Sequence, residues 1–114
     1  MTDYKAKLEE SKQNSEVLGK NSPELMGKFM EVAQVALTPR NLDAKTKELV
    51  AVGIAVSVRC EDCIMAHVGN AIKTGATMEE LTETIEVAIL MGGGPSTAYG
   101  AKALAVAEYL FSQE

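Results

Sequence analysis

Leu49-Val50-Ala51-Val52-Gly53-Ile54-Ala55-Val56-Ser57-Val58 is the most apolar run of the chain, and whether it is helix or strand decides the fold. Its periodicity does not discriminate, because an unbroken apolar stretch rich in Val suits a buried strand as well as a buried helix. A lone strand needs partners, however. Nowhere else does the chain show period-two alternation or hairpin turns. Asp43 stands ahead of Ala44-Lys45-Thr46-Lys47-Glu48 as an N-cap, so a helix is expected from 44 to 58. Interrupted by Gly53 and Ser57, the run is too short to span a bilayer and reads as core.

Helix signals continue on both sides. Downstream, a helix is expected from about Cys60 to Thr74, with Gly75 as its stop. Thr77-Met78-Glu79-Glu80 is a capping box opening a helix through Leu81, Ile85, Ala88, Ile89 and Leu90. Gly92-Gly93-Gly94-Pro95 ends that helix and starts a last one running to about Phe111. The glycines lack the strand and the Lys-Ser/Thr of a phosphate loop, and a helix connector is the simpler account. Upstream, Ser22-Pro23-Glu24 reads as N-cap, first helical position and dipole-matched acid. Leu25, Met26, Phe29, Met30, Val32, Ala33, Ala36 and Leu37 follow near a 3.6 period until Pro39 stops them. Residues 3–20 are amphipathic but weakly apolar, which makes 1–21 a peripheral helix. The expectation is an all-α, compact protomer of five to six helices in one domain, 1–114.

Composition narrows the function. A chain of 114 residues, 46% apolar and 24% charged, can bury roughly two thirds of its unfolded surface and needs no disulfide staples. Net charge is −5 with no Lys/Arg cluster, which argues against nucleic acid and against anionic membranes. The polar N-terminus, Met1-Thr2-Asp3-Tyr4-Lys5, shows no secretory apolar region, so a cytoplasmic location is expected. In a reducing cytosol a close Cys pair is catalytic, redox-sensing or metal-binding more often than structural.

Such a pair is present. Arg59-Cys60-Glu61-Asp62-Cys63-Ile64-Met65-Ala66-His67 holds both cysteines and the single histidine of the chain. On one helix, Cys60, Cys63 and His67 fall at i, i+3 and i+7, a single face. Two thiols so spaced can close a disulfide, and an imidazole beside a thiol is how a thiolate forms near neutral pH. Arg59, the helix N-terminus and His67 favour the thiolate, whereas Glu61 and Asp62 oppose it. Cys63, four residues from His67, is the better nucleophile, with Cys60 resolving; helix-dipole logic alone can exchange the two. Glu48 joins them by geometry. If the helices before and after Arg59 are antiparallel, Glu48 lies about 15 Å before the turn and His67 about 10 Å after it, near enough for a carboxylate to orient the imidazole. A solvated first-turn acid is the plainer reading of Glu48. A structural zinc needs four ligands and the chain has no further Cys or His, so neither metal nor other cofactor is expected. A buried structural Cys pair is the remaining alternative.

Glu48, Cys60 twelve positions later, the Cys60-x-x-Cys63-x-x-x-His67 spacing, then Gly92-Gly93-Gly94-Pro95 and an Ala-rich segment resemble the alkylhydroperoxidase D-like, carboxymuconolactone decarboxylase superfamily over about residues 24–110. The resemblance implies an all-helical protomer that assembles into trimers or hexamers. It also implies a thiol peroxidase or disulfide reductase in which Glu48 and His67 relay a proton from Cys63 and Cys60 closes the disulfide. The substrate would be a small peroxide or disulfide, with an external dithiol donor such as a lipoyl or thioredoxin-like protein. One position departs: the redox enzyme has a second His just before its second Cys, where this chain has Asp62. The decarboxylase branch typically lacks the Cys pair. A non-redox lyase or a binding subunit with incidental cysteines is the competing class.

Overall fold

The computed structural model describes residues 2–114, and among them there are six helices and no strand. The deciding run lies in a helix. Ala44–Ser57 is α3, with Val58 as its C-cap and Asp43 as its N-cap, the carboxylate accepting the Thr46 N–H at 2.7 Å. Hydrogen bonds from the Thr46 hydroxyl and then its N–H hold the Asp43 carboxyl below its usual range. The period was undecided because both faces are apolar: Val52, Ala55 and Val56 are buried, while Val50, Ile54 and Val58 are exposed.

The chain divides into two compact units, one ending at Thr38 and the other running Pro39–Glu114. In the first, α1 (Tyr4–Asn21) is capped by Asp3 and is followed by α2 (Pro23–Leu37). Ser22 occupies the expected N-cap position, yet its hydroxyl makes no cap bond. Its N–H instead donates to the Leu18 carbonyl at 2.8 Å, so the residue closes α1 as it opens α2. Neither helix contains a buried residue. The sequence reads as one domain with 1–21 as a peripheral helix; here the boundary between units falls at Pro39, and α2 groups with α1.

Among the described residues, the buried apolar side chains all lie in the second unit, on α3, α4 (Glu61–Lys73), α5 (Met78–Gly92) and α6 (Gly94–Ser112) and, at Ala76, in the α4–α5 connection. α3 packs on each of the other three, and α6 on α4 and α5. Val52, Val56, Ile64, Val68, Leu81 and Ala103 are inaccessible at the centre, each of the larger ones worth about 1.5–3 kcal/mol of transfer free energy. Two devices hold the frame. The Thr77–Glu80 capping box opens α5 as expected, and Lys45 bridges to Glu80 at 2.9 Å, tying the first turns of α3 and α5. That contact holds the Glu80 carboxyl below, and the Lys45 amine above, their usual ranges. Gly93, at φ 71, is both the last cap of α5 and the first of α6.

The connection that matters most is the shortest. Only Val58, Arg59 and Cys60 separate α3 from α4. Arg59 turns the chain with φ 61, a left-handed conformation that costs a non-glycine residue roughly 1–2 kcal/mol. This tight return sets α3 and α4 side by side.

Candidate functional site

α4 begins at the site. Cys60 is its N-cap with extended backbone; its carbonyl accepts the Ile64 N–H at 2.9 Å and its Sγ accepts the Cys63 N–H at 3.2 Å. The N-cap thus has sulfur where Ser or Asp oxygen is usual. Cys60 and Cys63 are joined as a disulfide, with Cα atoms 5.2 Å apart. Both are half-buried, so the bridge is reachable from solvent while anchored in a rigid first turn.

His67 follows Cys63 by one turn on the same face, and Glu48 reaches it from α3, Nδ1 to Oε1 at 2.7 Å. The helix-rise arithmetic places the two at one level, and the structure brings them into direct contact. Glu48 is 7% exposed, the one buried acid among the described residues, and His67 is the partner that makes such burial tolerable. A carboxylate only accepts, so the contact puts the ring proton on Nδ1 and leaves Nε2 with a lone pair for proton exchange. An oriented base one turn from a sulfur is the arrangement needed to remove or return a thiol proton.

Charges ring the bridge. Glu61 lies between the two cysteines in sequence and is met by Lys102 of α6 at 3.7 Å, a half-exposed pair. Asp62, where a second His was noted as absent, is exposed. Lys102 escaped the sequence reading because nothing local links it to Glu61; only the packing of α6 on α4 does. Among the described residues, no set of three or more His, Cys, Asp and Glu side chains is arranged to hold a metal ion. Likewise no described helix is long and apolar enough to cross a membrane.

Known proteins share this framework. The sequence signature described as "Carboxymuconolactone decarboxylase family" matches residues 23–108. An uncharacterised protein of Cupriavidus necator is 40% identical over 104 residues, 91% of this chain and 92% of its own length. Among solved structures, a carboxymuconolactone decarboxylase family protein of Legionella pneumophila has a TM-score of 0.88 at 40% identity, covering 95% of this chain and 97% of that one. A family protein of Thermotoga maritima, with a suggested involvement in antioxidative response, has a TM-score of 0.74 at 30% identity, covering 77% and 91%. With its signature over nearly the whole second unit and α2, its six helices and its Cys-x-x-Cys-x-x-x-His turn, this chain belongs to the carboxymuconolactone decarboxylase family.

Proposed function

We propose that the protein is a thiol oxidoreductase, a peroxidase or disulfide reductase, using Cys60 and Cys63 as its redox pair and Glu48 with His67 as its proton relay. The observation that carries this reading is the 2.7 Å Glu48–His67 contact one turn from a Cys60–Cys63 bridge. In the reduced protein His67 Nε2 takes the Cys63 proton. The Cys63 thiolate attacks the outer oxygen of a hydroperoxide, forming a sulfenic acid; the alcohol leaves with the proton from His67. Cys60 then attacks the Cys63 sulfur, water departs and the bridge closes. A substrate disulfide follows the same path, with a mixed disulfide in place of the sulfenic acid. An external dithiol, a lipoyl group or a thioredoxin-like protein, reopens the bridge and is itself oxidised, so the reaction belongs in a reducing compartment such as the cytoplasm.

The test is peroxide consumption that depends on added dithiol. Cys60→Ser should react once with peroxide and stall as a sulfenic acid detectable by mass, and Cys63→Ser should not react. The opposite pattern reverses the two roles. Both variants matching the unmodified protein would refute the redox reading and leave a lyase or binding subunit.

We also propose that the protein works as a homo-oligomer, trimer or hexamer, through the α3–α5 face. A groove of about 450 Å³ runs between these helices, lined by Leu49, Val50, Ile54, Val87 and Met91. Val50, Ile54, Val58, Val87, Leu90 and Met91 are each about half exposed or more. A stable interface takes about 800 Å² from each partner, and these exposed side chains are the apolar surface that α3 and α5 offer toward it. A second copy of this chain is the occupant that such an area suits.

A further inference from the structure

Three described residues have left-handed backbone, and all three follow helices of the second unit. Gly75 (φ 101) follows α4, Gly93 (φ 71) follows α5, and Arg59 (φ 61) follows α3. At Arg59 the turn is built by two bonds: the Cys60 N–H donates to the Ala55 carbonyl at 3.1 Å and the Arg59 N–H to the Val56 carbonyl at 3.2 Å. This nested pair is the helix ending that favours glycine, which enters the conformation without a clash at Cβ. The turn itself is therefore better served by glycine. What arginine adds is its side chain, at a position adjoining the redox bridge. That side chain is exposed and makes no ion pair among the described residues.

The electrostatics of Cys60 show why a cation is useful there. Cys60 follows the negative end of α3 within two residues and caps the positive end of α4, so the two helix dipoles oppose each other at its sulfur. Side chains then decide the balance. Glu61 and Asp62 of α4 disfavour a thiolate; α3 contributes Glu48, already occupied by His67 of α4; α6 contributes Lys102, already occupied by Glu61. Arg59, next to Cys60 in the chain, is a cation with no ion pair among the described residues. In the disulfide form the N–H, carbonyl and Sγ of Cys60 are all engaged, which holds the sulfur at the start of α4.

We propose that Arg59 is a positioning residue for the redox pair: its guanidinium stabilises the Cys60 thiolate and so makes Cys60 the leaving sulfur when the bridge is reduced. This rests on the thiol oxidoreductase reading. A donor thiolate attacks the Cys63 sulfur, the S–S bond breaks, and Cys60 takes the electron pair as thiolate. The second donor sulfur, losing its proton, then displaces Cys63, which leaves with the electron pair and is protonated; the dithiol ends as a disulfide.

The experiment separates backbone from charge. In a Cys63→Ser background, which leaves one thiol, thiolate absorbance is followed against pH for Arg59, Arg59→Lys and Arg59→Gly. Glycine keeps the left-handed turn, so circular dichroism should be unchanged, but at pH values below the midpoint the thiolate fraction should fall about two- to threefold, the size of effect expected for losing one water-screened cation on the adjoining residue. Lysine should restore it. With both cysteines present, Arg59→Gly should be oxidised more completely at a given glutathione ratio. Equal titrations for arginine and glycine, or lysine behaving as glycine does, would overturn the proposal. Should the titration shift as expected while the unmodified protein shows no dithiol-dependent turnover, Arg59 tunes the thiol and the oxidoreductase reading alone fails.

Discussion

At the scale of single residues, the Glu48–His67 pair makes a sharp kinetic demand. His67→Gln removes the base and should slow peroxide turnover at pH 7 by about 10²- to 10⁴-fold, the usual contribution of a positioned general base. Glu48→Gln keeps an acceptor for the Nδ1 proton while losing the charge, so its defect should be smaller. Both should shrink as pH rises toward the range where solvent ionises the thiol unaided. The measurement is kcat/KM against pH; a defect constant across the profile would mean that the pair only supports the fold. Spacing makes Glu48 a candidate, because a tight antiparallel turn converts positions before and after Arg59 into heights along two helices. Its near-complete burial was not legible, since a first-turn acid beside Lys47 looks like a solvated side chain.

Between elements, the close approaches are made at small residues. Building a Cβ on Gly100 of α6 would bring it to 2.6 Å from Ile85 Cγ2 of α5, and Ile85 is 3% exposed with little room to move. Gly69 of α4 is different: its nearest atom would be Leu110 Cδ1 at 3.9 Å, ordinary contact. Gly100→Ala should therefore destabilise by about 1–3 kcal/mol through overpacking. Gly69→Ala should stabilise by about 0.5–1 kcal/mol through helix propensity. Urea unfolding of the two variants checks both signs. Both glycines sit inside helical patterns with nothing local to tell them apart; what separates them is which neighbouring helix lies above. The caps, by contrast, were readable. Asp43, Thr77 and the Gly-Gly-Gly-Pro corner satisfy backbone groups within four residues of themselves, so their chemistry is complete in the local sequence.

For the whole molecule, the α3–α5 face is one apolar surface that a single copy leaves exposed. If it is the contact between copies, Leu90→Lys with Met91→Lys should shift the mass by light scattering at micromolar concentration to that of one chain, with helicity retained. A monomeric mass for the unmodified protein would defeat the assembly. The first unit exposes apolar surface of its own, at Leu25, Phe29, Met30, Val32 and Val35.

The sequence by itself determined where helices begin and end, and which residues share the face of α4 that carries the site. These depend on backbone bonds and side-chain neighbours within a few positions, so Cys60, Cys63 and His67 were set beside one another before any packing was known. The tertiary structure decided what such rules cannot reach. In α3 both faces are apolar, so only packing against α4, α5 and α6 selects Val52 and Val56 for the interior and leaves Val50 and Ile54 outside. The same packing buries Glu48 against His67, brings Lys102 to Glu61 and holds Arg59 left-handed beside the bridge. Each of those outcomes joins residues from different helices or opposes a local preference, and the energy that settles it comes from burial summed over the folded unit.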